Sequence, residues 1–183
     1  MKQLLIGLLV IIFSSPESFA QTKKQLTPAD YGQWQTLSTT DLSPNGEWLL
    51  YSVTVQEDND TLFVVNRTSG KTHKLAFASL PEFSDDNQWL AYRIGVSYKE
   101  AEKLRDQQKP VEYKMGLLNL QTGKTEEIKN INRFGFSRNG KYLAAYLMPP
   151  KEAKDKGAVL LVRNLSDGTT RTIGNVTEYA FNK

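Results

Sequence analysis

Apolar residues in this chain come in short runs, each ended within about eight positions by turn-forming residues, which is the grammar of strands and hairpins rather than of helices. Three stretches repeat one pattern: Leu42-Ser43-Pro44-Asn45-Gly46-Glu47-Trp48-Leu49-Leu50-Tyr51, Phe83-Ser84-Asp85-Asp86-Asn87-Gln88-Trp89-Leu90-Ala91-Tyr92 and Phe136-Ser137-Arg138-Asn139-Gly140-Lys141-Tyr142-Leu143-Ala144-Ala145. A fourth copy opens at Phe181-Asn182. The marker positions Ser43, Ser84, Ser137 and Asn182 lie 41, 53 and 45 residues apart, within the range of propeller blades built from four strands.

Each copy reads as an apolar strand end, a turn of Asn-Gly or Asp-Asn type that tolerates positive φ, and an apolar-aromatic strand. A second hairpin follows in every unit. Its apolar runs, Thr61 to Asn66, Met115 to Leu120 and Ala158 to Asn164, lead through Thr68-Ser69-Gly70-Lys71, Gln121-Thr122-Gly123-Lys124 and Ser166-Asp167-Gly168-Thr169 into polar outer strands. The expected fold is all-β: a partial β-propeller of three four-stranded blades over 36–75, 80–128 and 132–173, with 177–183 opening a fourth. Nearly continuous apolar runs such as Leu62-Phe63-Val64-Val65 suit strands sandwiched between blades, and Trp48, Trp89 and Tyr142 fall where blades would pack. The extra length of the second unit is an insertion, Ser97 to Lys109, rich in helix formers and with opposite charges three apart at Lys99, Glu102 and Arg105. It reads as a short charged helix facing solvent, or more sharply as a lid or docking element over one mouth of the ring. Propellers typically close with about four to eight blades, which hides their edges. Three blades and a strand leave open faces, and are expected as the N-terminal portion of something longer rather than as one member of a ring of identical chains.

Ahead of the repeats, Lys2 precedes an apolar run from Leu4 to Phe13, followed by Ser14, Ser15, Pro16 and Ser18-Phe19-Ala20, the plan of a secretory signal cut after Ala20. The run is about half of the roughly 20 residues that a membrane-crossing helix needs, so a cleaved signal is expected, with no membrane segment after cleavage and residues 21–35 as a lead-in to the first blade. A secreted or periplasmic protein is implied. The absence of Cys removes disulfides, thiolate ligands and cysteine nucleophiles and suits a bacterial setting. With 39% apolar and 23% charged residues the composition is that of an ordinary globular protein, and a net charge of +3, scattered along the chain, does not call for nucleic acid. Asn-x-Ser/Thr at Asn59, Asn66, Asn164 and Asn175 matches a glycan acceptor, as chance alone produces in an Asn-rich and Thr-rich chain.

Candidate chemistry is sparse. The nucleophile elbow of an α/β-hydrolase is Gly-x-Ser-x-Gly, and Gly95-Val96-Ser97-Tyr98-Lys99 and Gly135-Phe136-Ser137-Arg138-Asn139 both lack its final glycine. Ser137 is the repeat serine already seen at Ser43 and Ser84, so these serines read as structural. His73, the one histidine, sits in a polar outer strand between Thr72 and Lys74, without an acid spaced to orient it, and reads as a surface side chain. Glu57-Asp58-Asn59-Asp60 lacks the Gly and distal Glu of a calcium loop and reads as a solvated hairpin loop, while Asp85-Asp86 occupies a turn slot. No phosphate-binding glycine loop or dinucleotide fingerprint is present. No catalytic, cofactor-binding or metal residue is therefore assigned within the chain.

The repeat Phe-Ser-x-Asp/Asn-Gly/Asn-x-Trp/Tyr-Leu-Ala-Tyr, followed by an apolar strand and Thr-Gly-Lys, resembles the propeller repeats of TolB-like proteins and of the prolyl oligopeptidase family of serine peptidases. The lead-in Leu26-Thr27-Pro28-Ala29-Asp30-Tyr31-Gly32-Gln33-Trp34, running into Leu42-Ser43-Pro44-Asn45-Gly46, is similar to the start of secreted bacterial peptidases of that family, those of Bacteroidetes type in particular. The charged insertion and Pro149-Pro150 are similar to that group as well. The resemblance covers residues 22–183 and implies a propeller that filters peptide access to a C-terminal α/β-hydrolase domain, where a Ser-Asp-His triad cleaves short peptides, often after Pro. None of those catalytic positions lies in this sequence, so the chain itself would carry the gating surface, including the insertion from Val96 to Tyr113, and the triad would belong to the longer parent. The alternative implied is a non-catalytic periplasmic propeller of TolB-like type that binds protein partners.

Overall fold

The computed structural model describes residues 23–31, 33–55, 60–149 and 157–182; the expected signal at 1–20 lies outside them. Twelve strands form three antiparallel sheets, each a meander in chain order. The first holds β1 (Gln35–Leu42), β2 (Trp48–Val55), β3 (Thr61–Asn66) and β4 (Thr72–Ala76). The second holds β5 (Ala78–Phe83), β6 (Trp89–Ile94), β7 (Lys114–Asn119) and β8 (Thr125–Ile128), and the third β9 (Ile131–Phe136), β10 (Tyr142–Leu147), β11 (Ala158–Asn164) and β12 (Thr170–Val176). Each sheet's first strand touches the preceding sheet, β5 against β3 and β9 against β6 and β7. This is the expected partial propeller of three four-stranded blades.

The repeat serine explains why each first hairpin closes at the same place. Ser43 Oγ accepts the Trp48 N–H at 3.0 Å and donates to Asn45 Oδ1 at 2.8 Å, and that oxygen also receives the Glu47 N–H. Ser84 does the same with Trp89 and Asp86, and Ser137 with Tyr142 and Asn139. The fourth turn position needs the left-handed region, at φ 71° in Gly46, 59° in Asn87 and 67° in Gly140, so Asn87 stands where the other two units use glycine. The second hairpins repeat a different lock, in which Asn66, Asn119 and Asn164 accept at Oδ1 from the N–H and hydroxyl of a turn Ser or Thr.

Side chains alternate across a strand, so each blade buries two sets. Trp48, Leu50, Leu62, Val64 and Leu75 of the first blade pack against Phe83, Leu90, Tyr92, Leu118 and Leu120 of the second. On the second blade's other face, Ala91, Met115 and Leu117, flanked by Trp89, meet Leu143, Ala145 and Leu161 of the third. This seam is also tied by a bidentate ion pair between Arg163 and Glu126. Tyr142, Ala144, Tyr146, Leu160 and Val162 occupy the equivalent positions on the third blade, where no further blade follows among the described residues. Tyr142 is accordingly 36% exposed, against 2% for Trp48. Residues 177–182, expected to open a fourth blade, form no ladder with the described residues. Tyr179 instead stacks on Tyr146 at 6.1 Å. In the lead-in, a helical turn α1 (Pro28–Tyr31) was not expected. Asp30 accepts the N–H and hydroxyl of Thr27 and pairs with Lys24, with Pro28 at the first helical position.

Two substitutions test this packing. Ser84→Ala removes the fully buried hydroxyl that accepts the Trp89 N–H and is expected to cost about 1–3 kcal/mol in urea unfolding. Gly116→Ala places a Cβ inside the buried ring of Tyr92 and is expected to cost about 1–3 kcal/mol, with Tyr92→Ala no remedy because it empties the same seam.

Candidate functional site: a cleft at the mouth of the blades

In an antiparallel meander the connections alternate between two ends. The Ser-Asn and Thr-Gly turns share one end, and the β2–β3 and β6–β7 connections share the other with the links between blades. That second end carries the departures from the repeat. The link from β4 to β5 is Phe77, held at φ 57°, where a bulky residue is strained. Two backbone bonds fix it: its N–H donates to Asp60 O at 2.9 Å and its carbonyl accepts the Gly95 N–H at 3.0 Å. The next link uses Asn130 at the same φ of 57°, a residue that tolerates the left-handed region.

Beside Phe77 opens a cleft of about 500 Å³ between the first two blades, lined by Val55, Asp60, Ser79, Arg93, Val96, Tyr98, Val111 and Tyr113 among others. Its size is within the range of small-ligand sites. Arg93, at the end of β6, lays its guanidinium over the Tyr113 ring at 4.3 Å and donates through Nε to Ser79 Oγ at 3.2 Å. The arrangement offers a fixed cation, an acidic side chain at Asp60 and a largely apolar wall, the components for binding a polar-ended ligand. Among the described residues no group of three or more His, Asp or Glu side chains is placed to hold a metal ion.

The insertion forms α2 (Tyr98–Asp106), capped by Ser97, whose Oγ accepts the Glu100 N–H at 3.2 Å. Glu102 pairs with Arg105 at 3.2 Å and accepts the Tyr98 hydroxyl, and Lys103 pairs with Glu100. None of its residues is buried, in keeping with a solvated helix, yet Tyr98 and Ala101 wall the cleft. A second, more open cavity of about 800 Å³ lies against Ser97 and Glu100, and is lined also by His73, Tyr92 and the Lys114–Glu127 ion pair.

The residues singled out in the sequence mostly hold structure. Ser97 caps a helix and Ser137 closes a turn, each accepting a backbone N–H at its hydroxyl. Asn66 and Asn164 spend their side-chain oxygens inside turns. Glu57, Asp58 and Asn59 lie outside the described residues, and Asp60 is on the cleft wall. His73 departs from the expected surface position. The alternation of β4 turns its ring toward the second blade, where it lies 5.8 Å from the Trp48 ring and against Gly123. His73 Nε2 and Trp48 Nε1 are both buried without a hydrogen-bond partner. At the inner edge, Glu82 Oε1 accepts the Phe136 N–H of the next blade at 3.2 Å, and desolvation pushes its carboxyl above the usual range, against the pull of that N–H. Sequence reasoning missed Arg93 and Glu82, whose partners are distant in the chain, and reached Tyr113 only as the end of the insertion.

No protein-family model matches the chain, and no curated protein matches it. Solved structures do. The β-propeller domain of the Trilobed protease from Pyrococcus furiosus superposes with a TM-score of 0.54 at 16% identity, over 79% of this chain and 44% of that one. The acylaminoacyl peptidase of Pyrococcus horikoshii gives 0.52 at 13% identity over 84% and 27%. An acylaminoacyl peptidase in complex with Z-Gly-Gly-Phe-chloromethyl ketone gives 0.51 at 15% identity over 80% and 26%. The shared fold is the propeller, in agreement with the repeats. The chain spans less than half the length of each of these structures.

Burial beside Trp48, with the charge of Lys71 adding to it, holds the His73 imidazole below its ordinary pKa of 6.5. The unfolded chain then takes up a proton that the folded one refuses. Stability is expected to be full above about pH 6.5 and to fall as pH drops below it. The urea midpoint followed from about pH 7.5 to 5 reads this out, and His73→Phe is expected to flatten that part of the profile.

Proposed function

We propose that this chain is the N-terminal propeller portion of a secreted or periplasmic serine peptidase of prolyl oligopeptidase type, in which it gates peptide access to a C-terminal hydrolase domain. The observation that carries the reading is the repeat itself: three blades closed by one serine turn, superposing on the propeller domain of a protease. The open face of the third blade supports it, because Tyr142, Met148 and Ile173, at 36%, 50% and 49% exposure, are the kind of surface that another blade covers elsewhere in this fold. The cleft flanked by α2 supplies a gating surface at the blade end where the chain departs from its own repeat.

In this reading the chain binds and filters, and the nucleophile, acid and base belong to the hydrolase domain. Exclusion of folded proteins follows from the narrow mouth of a closed ring, and selection among short peptides follows from the groups around it. Export by the N-terminal segment places the protein outside the cytoplasm, which suits a chain without Cys.

The test is the natural product, captured from source cells with an antibody against residues 60–149. A polypeptide several-fold heavier than 20.7 kDa, starting at Gln21 and cleaving short peptides in a manner blocked by a serine-directed reagent, is expected. A product of that mass or less, without peptidase activity, would sink the reading and favour a propeller that only binds partners.

A further inference from the structure

We infer that the mouth cleft is a carboxylate-recognition site anchored by Arg93, and that its ligand is the C-terminal residue of a short peptide ending in an apolar side chain. The choice of a peptide over other carboxylates rests on the peptidase reading. The choice of a carboxylate rests on the cleft alone. Arg93 is immobilised twice, through Nε on Ser79 and through its face on Tyr113. Among the described residues no carboxylate lies within ion-pair distance of it and its two terminal nitrogens donate to nothing, whereas Arg105 and Arg163 pair with Glu102 and Glu126. A guanidinium held by its face and by Nε, with its outer fork unpaired, has already lost the rotamer freedom that binding would otherwise remove and matches a carboxylate with two parallel hydrogen bonds.

The remaining walls restrict what the carboxylate is attached to. Val55, Phe77, Val96 and Val111 make an apolar surface next to Arg93, suited to one aliphatic or aromatic side chain. Asp60 on the same wall disfavours a second negative charge in the ligand and accepts a peptide N–H. A ligand with one carboxylate, an adjacent apolar side chain and an amide N–H satisfies all three surfaces. Phe77 is kept in its strained conformation by bonds from both sides, which fixes the backbone at this edge of the cleft.

The test uses the natural protein carrying this chain, with any serine nucleophile first blocked by phenylmethylsulfonyl fluoride, and calorimetric titration with N-acetyl-leucyl-phenylalanine and with its C-terminal amide. The free acid is expected to bind about tenfold more tightly than the amide, the worth of one charge-assisted bidentate contact. Arg93→Met is expected to bring the two to equality. Arg93→Lys, which keeps the charge and the stem but loses the fork, is expected to retain only part of the preference and serves if the Met variant does not fold. Equal binding of acid and amide by the unaltered protein, or a preference that survives either substitution in full, overturns the proposal. Decanoate binding as tightly as the peptide acid overturns the peptide part. Peptide hydrolysis without acid preference sinks this site and leaves the peptidase reading standing; acid preference in a protein without hydrolysis does the reverse.

Discussion

A strand shows its side chains to two sides in turn, and a sheet that is apolar on both sides has to be covered twice. That requirement organises the molecule. The second blade meets it fully, with Leu90, Tyr92 and Leu118 turned to the first blade and Ala91, Met115 and Leu117 to the third. Gly116 belongs to the same economy of space, because the ring of Tyr92 occupies the volume its Cβ would need. The outer two blades have one covered side each among the described residues, and both carry exposed apolar side chains, Leu37 and Leu42 on the first and Tyr142 and Ile173 on the third. Burial on this scale supplies the apolar free energy of the fold, and the polar contacts between blades, Arg163 with Glu126 and Glu82 with the Phe136 N–H, set the angle and register at which the faces meet.

The residues that carry reactive groups are largely consumed in making the hairpins. A serine hydroxyl that accepts one backbone N–H and donates to an Asn or Asp oxygen has its one proton committed to the turn, and this holds at Ser43, Ser84 and Ser137 alike. Asparagines at the second hairpins are committed in the same way. What remains for function is found where the three units differ from one another: the insertion in the second, the link through Phe77, and the Arg93 side chain that lies between Ser79 and Tyr113. Repetition secures the scaffold, and the exceptions to it shape the cleft.

The architecture was legible because each element announces itself locally. The Ser-x-Asn-Gly turns, the aromatic residue two positions beyond each and the Thr-Gly turns announce three units of four strands, and the helix formers after Ser97 announce α2. The helical turn at Pro28 was not expected, although Thr27, Pro28 and Asp30 are a compact capping signal, because a four-residue turn carries no apolar periodicity. His73 was misplaced for a different reason. A polar strand reads as solvent-facing from its composition, whereas the direction of one side chain within it depends on what the alternate face meets, here Trp48.

The sequence by itself determined the strand order, the hairpin geometry and the propeller class, since those follow from residues within a few positions of one another and from their recurrence. Only the tertiary structure decided the cleft. Asp60, Ser79, Arg93 and Tyr113 come from two blades and four separate segments, and no local pattern relates them. Their meeting depends on the angle at which one sheet stacks on the next, a property of the whole packed seam that no single stretch of chain contains.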